Sequence, residues 1–109
     1  MNYEQYLLIK LAEEASEVAK DALKAAQFGL EEVHPSTGVS NVTRLAEELC
    51  DMGFIIAKLD ERLLAQGKEP LLDIVDAVES DAYFNTKSAR FEKYLAYSRE
   101  LGKVEASTE

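Results

Sequence analysis

Residues 11–20, LAEEASEVAK, place Glu13, Glu14 and Glu17 on a stretch with helical apolar spacing. Residues 45–54, LAEELCDMGF, repeat the arrangement with Glu47, Glu48 and Asp51. Around the first cluster, Leu7, Leu11, Val18, Ala22 and Ala25 recur at helical period, which predicts a helix from Tyr3 to about Phe28. Gly29 is a C-terminal stop. Around the second, Val42, Leu45, Leu49, Met52, Ile56, Leu59 and Leu63 predict a helix that Ser40 or Asn41 can cap and that breaks at QGKEP, residues 66–70. Residues 30–40 contain Pro35 and Gly38 and read as a loop. The predicted fold is therefore all-α.

On a helical wheel the first apolar stripe centres near Leu11 and Val18. Glu14 lies about 60° from that centre and Glu17 about 120°, while Glu13 points away. In the second helix Glu48 lies about 70° from the stripe and Asp51 about 130°, while Glu47 points away. Both pairs deviate in the same rotational sense. If the helices pack face to face and antiparallel, Glu14, Glu17, Glu48 and Asp51 converge on one side of the hairpin. Like charges three residues apart repel. Two such pairs brought together either raise a pKa or recruit a cation. Carboxylate oxygens are the ligands that Mg²⁺ and Mn²⁺ prefer. Solvated acidic faces remain the plainer reading of either pair alone.

Beyond Pro70, LLDIVDAVES predicts a short helix, and a further one runs from about Asp81 to Leu101 with Phe84, Phe91, Tyr94, Leu95 and Ser98. The two either meet near Ser80 or form one bent helix. Gly102 ends the last helix, and residues 102–109 read as a frayed tail.

The 109 residues suit one domain, assigned to residues 1–101. With 12 Lys and Arg against 21 Asp and Glu, the formal charge is −9, which argues against a nucleic-acid polymer or an anionic membrane as partner. A small anion would need bridging cations. There is no spanning apolar run and no signal-peptide pattern, and Cys50 is the sole cysteine, so a cytoplasmic location is expected. No Glu is followed by His at the spacing of ferritin-like di-metal sites, Cys50 lacks a His partner, and there is no Gly-rich phosphate loop. The only histidine, His34, reads as an exposed loop residue.

With Glu14-Ala-Ser-Glu17 on one helix and Glu48-Leu-Cys-Asp51 on the next, each preceded by a further Glu, the chain resembles the MazG-like all-α nucleoside triphosphate pyrophosphohydrolases. The segment Asn85, Lys87, Arg90, Phe91 is similar to the Asn-x-Lys-x-x-Arg stretch of that superfamily. The resemblance covers roughly residues 5 to 98 and is to its short, stand-alone, phage-type members. It implies a four-helix bundle that assembles as a homodimer or homotetramer. It implies Mg²⁺ (or Mn²⁺) held by Glu14, Glu17, Glu48 and Asp51, with a nucleoside triphosphate cleaved to monophosphate and pyrophosphate. Lys87 and Arg90 would contact phosphate and Asn85 would support them. Glu48 either binds metal or orients the attacking water.

Other residues carry two readings each. Phe28 and Asn41 flank the loop and either contact a base or serve as core cap and helix cap. Lys10 is expected to pair with Glu14. Asp21, one turn past Glu17, either supports the acids from outside or is solvated. Apolar positions at Ile55, Ile56, Leu63 and Leu64 are wider than one neighbouring helix covers, so a second chain is expected there. Two rival readings stay open: a phosphoribosyl-ATP pyrophosphohydrolase-like enzyme, and a non-catalytic helical interaction module.

Overall fold

The computed structural model describes residues 1–106; the end of the expected frayed tail, residues 107–109, lies outside the described residues. Four helices follow one another: α1 (Tyr3–Phe28), α2 (Asn41–Ala65), α3 (Leu71–Val78) and α4 (Asp81–Glu100). Among the described residues there is no strand, only an isolated antiparallel bridge between Val33 and Ser40. No helix among them is long and apolar enough to cross a membrane.

Local chemistry explains each boundary. Asn2 opens α1 with a reciprocal cap: its Oδ1 accepts from the Gln5 amide at 2.8 Å and its own amide donates to Gln5 Oε1 at 2.9 Å. Gly29 ends α1 at φ 98°, a conformation in which a Cβ is strained. Ser40 caps α2, its Oγ accepting from the Thr43 amide at 3.3 Å. Asn41, the other cap candidate, is buried, and its Nδ2 donates to the Gly29 carbonyl at 2.8 Å. The intervening loop folds onto the start of α2. The Asn41 and Val42 amides, which have no partner within a helix, donate to the carbonyls of Glu32 and Leu30, each at 2.9 Å.

That contact joins the end of α1 to the start of α2. At the other end, Lys68 Nζ lies 4.0 Å from Glu4 Oε1. The two helices therefore form an antiparallel hairpin. Its core is thin: Leu7, Ala25 and Leu59 are the buried apolar residues. Leu11, Val18, Leu45, Met52, Ile56 and Leu63 are half-buried, whereas Ala22, Val42 and Leu49 are exposed, against expectation. The covered face of each helix is turned from the centre of the apolar stripe towards Glu14 and Glu48, both half-buried, and these three lie on the opposite flank. Asp60, also buried, ties down the segment after α2: its Oδ1 accepts from the Leu71 amide at 2.7 Å.

The described chain forms two compact units, Met1–Leu71 and the residues from Leu72 onward. In the second unit α3 and α4 are separate helices, because Ser80 caps α4 by accepting from the Tyr83 amide at 3.1 Å. The expected stripe of α4 is mostly open: Phe84, Phe91 and Tyr94 are exposed, and only Leu95 and Ser98 are half-buried. Past Glu100 the chain turns at Gly102 (φ 73°), the Lys103 amide donates to the Ser98 carbonyl at 2.9 Å, and Arg99 Nε donates to the Glu105 carbonyl at 3.0 Å.

Candidate functional site

The hairpin brings Glu14, Glu48 and Asp51 together, one carboxylate oxygen of each lying within 4.8 Å of the others. Glu14 and Glu48 are half-buried at the helix interface and Asp51 is exposed at its rim. Glu17 is exposed and stands outside this set of three, one turn further round α1. Its charge still reaches Glu48. The Glu48 carboxyl is held above its ordinary pKa, first by burial and then by the charges of Asp51, Asp21, Glu14 and Glu17.

Glu13 and Glu47 face solvent. Lys10 pairs with Glu13 at 3.1 Å rather than with Glu14, and that hydrogen bond is the main cause of its raised pKa. The reason is rotational: Glu14 is turned towards α2, so the exposed Glu13 is the acid within reach of a surface lysine.

Of the two readings of Asp21, the structure removes the solvated one: the residue is 5% exposed, and its Oδ2 is buried without a hydrogen-bond partner. It acts on Glu48 more strongly than Glu14 or Glu17 does. Its place on the flank of the acids was legible, since Asp21 lies two full turns from Glu14 and shares its face; its burial was not. Asp21 also lines a cleft of about 200 Å³ with Lys24 of α1, His34 and Thr37 of the loop, and Asn41 and Arg44 of α2. Lys24, Thr37 and Arg44 carried no expectation. His34 is exposed, as anticipated, with its Nδ1 2.7 Å from Ser36 Oγ.

Of the two residues weighed as base contacts, Asn41 lines this cleft and Phe28 does not; Phe28 is 52% exposed. Asn85, Lys87 and Arg90 belong to the second unit, and all three are exposed on α4. Lys87 and Arg90 line a shallow hollow of about 270 Å³ with Phe91 and Tyr94. Cys50 is exposed.

No model of a protein family, no curated protein and no solved structure matches the chain. The chemistry of the site must therefore be argued from its own atoms. Its donors are hard carboxylate oxygens with neither thiol nor imidazole among them, a set that suits Mg²⁺ or Mn²⁺ rather than zinc or copper. Three carboxylates this close are mutually repulsive, so binding a divalent cation would relieve a strain already present.

Proposed function

We propose that the protein is a MazG-like nucleoside triphosphate pyrophosphohydrolase, dependent on Mg²⁺ or Mn²⁺ and active in the cytoplasm. The observation that carries the reading is the meeting of Glu14, Glu48 and Asp51 across the hairpin. Glu14, Glu48 and Asp51 would hold the metal, with Glu17 beside them as a further ligand. When bound, a divalent ion neutralises phosphate charge and lowers the pKa of bound water.

The remaining work falls to side chains. Glu48, whose carboxyl is held above its ordinary pKa by burial and by the neighbouring acids, is the more basic of the carboxylates and is suited to accepting a proton from the attacking water. The resemblance assigns Lys87 and Arg90 to phosphate contact, with Asn85 as a polar support. A homo-oligomer, dimer or tetramer, accounts for the thin core. Leu8, Ile9, Phe54 and Leu64 are 45–60% exposed on the hairpin, and a second copy would cover them.

The decisive experiment measures pyrophosphate release from a panel of nucleoside triphosphates and phosphoribosyl-ATP, with Mg²⁺ and with chelator. Release from triphosphates that requires metal and is lost in Glu48→Gln supports the proposal. Release confined to phosphoribosyl-ATP supports the related enzyme. No release, together with no Mn²⁺ binding, leaves a helical interaction module.

A further inference from the structure

The cleft beside the acids has an unusual mixture of walls. Asp21 lines it and has a buried oxygen, Oδ2, with no hydrogen-bond partner, while Lys24 and Arg44 contribute cations. Among the described residues no ion pair joins Asp21 to either of them. A bare metal ion suits Asp21 but is opposed by Lys24 and Arg44. A simple anion suits the two cations but leaves the Asp21 oxygen facing like charge. The complementary ligand is a polar heterocycle that donates on one edge and accepts on another.

The cleft is also built in advance. Its loop wall is fixed by the amides of Asn41 and Val42 bonding back to the Glu32 and Leu30 carbonyls. Asn41 itself is locked to the Gly29 carbonyl. A buried acceptor left unpaired is unfavourable until a ligand donor reaches it, so it discriminates strongly between ligands that carry that donor and ligands that lack it.

Resting on the nucleotide reading above, we infer that the cleft lined by Asp21, Lys24, His34, Thr37, Asn41 and Arg44 is a base subsite selective for guanine. Guanine alone among the common bases offers two adjacent donors, N1–H and N2–H, which match a carboxylate. Its O6 and N7 are adjacent acceptors of the kind arginine and lysine recognise. The N3–H of uracil or thymine is flanked by two carbonyls, which would face the Asp21 carboxyl as like dipoles. Adenine and cytosine present one amino group beside a ring acceptor, so only one of the two contacts forms. The position agrees with the acid set, because Asp21 both lines the cleft and acts on Glu48. A base held at Asp21 is one turn of α1 from Glu17.

The test compares kcat/KM for pyrophosphate release from GTP, ITP, ATP, CTP and UTP, and calorimetric binding of GMP and IMP without metal. Inosine lacks only the 2-amino group. The expected result is a preference for guanine over hypoxanthine on the order of ten- to a hundred-fold. That ratio should collapse in Asp21→Asn and shrink in Arg44→Gln, a surface variant expected to leave the fold intact. Equal constants for GTP and ITP, a preferred pyrimidine, or an unchanged ratio in a folded Asp21→Asn protein would overturn the inference while leaving the pyrophosphohydrolase reading standing. Tighter binding of GMP than IMP, with no pyrophosphate from any triphosphate, would keep the subsite and remove the reaction. Neither release nor binding of GMP would remove both.

Discussion

At the scale of single residues, Glu48 shows how a site can work against the fold that carries it. Its carboxyl holds a proton more tightly in the folded chain than its ordinary value of 4.5. The stability it contributes is therefore present below that value and is lost as pH rises through the raised folded pKa. In metal-free protein at pH 7, Glu48→Gln should melt higher than the wild type, and the gap should narrow as the pH approaches 4. Adding Mn²⁺ should raise the wild-type melting temperature and leave the variant unmoved. Scanning calorimetry at several pH values reads both effects. Asn41 makes the opposite case. Asn41→Ala removes the donor to the Gly29 carbonyl and should lower stability by about 1–2 kcal/mol in denaturant titration. The pairing of acids three apart was legible from spacing, because helical rotation alone sets which way Glu14 and Glu48 turn. The burial of Asp21 was not, because it depends on what the loop and α2 place around it.

At the scale of the element, the boundaries at Gly29, the start of α2 and Gly102 were legible for a local reason, because the residues there act on backbone groups within a few residues of themselves. The caps at Asn2 and Ser80 act as locally, yet the sequence alone names no cap for α1 and leaves the join near Ser80 open. Ser80→Ala should lower stability by about 1 kcal/mol and speed amide exchange in the first turn of α4. The cap of α2 shows where such reading ends. Ser40 and Asn41 are both good capping residues, and only the tertiary contact with Gly29 separates the one that caps from the one that is buried. The same limit explains Ala22, Val42 and Leu49. Their spacing is helical and apolar, but which flank of the stripe is covered is set by the partner helix.

For the molecule as a whole, a hairpin with three buried apolar side chains has little core of its own. If a second copy covers Leu8, Ile9, Phe54 and Leu64, the melting temperature should rise with protein concentration. Sedimentation should then show a species larger than 12.1 kDa. Leu64→Arg, at a side chain that is 60% exposed, should shift that species towards monomer without unfolding it. A concentration-independent melt and a monomeric boundary would contradict the assembly.

The latch between residues 30–40 and the start of α2 divides the hairpin's labour. His34 and Thr37 of the cleft wall ride on a turn, whereas Glu14, Glu48 and Asp51 ride on the helical rods. Grafting a different turn of equal length, with its two anchoring carbonyls retained, would therefore retune what the cleft admits and spare the carboxylates. The part of the cleft that rides on the turn is thus open to redesign apart from the acids, whereas Asp21, which lines the cleft and acts on Glu48, belongs to both.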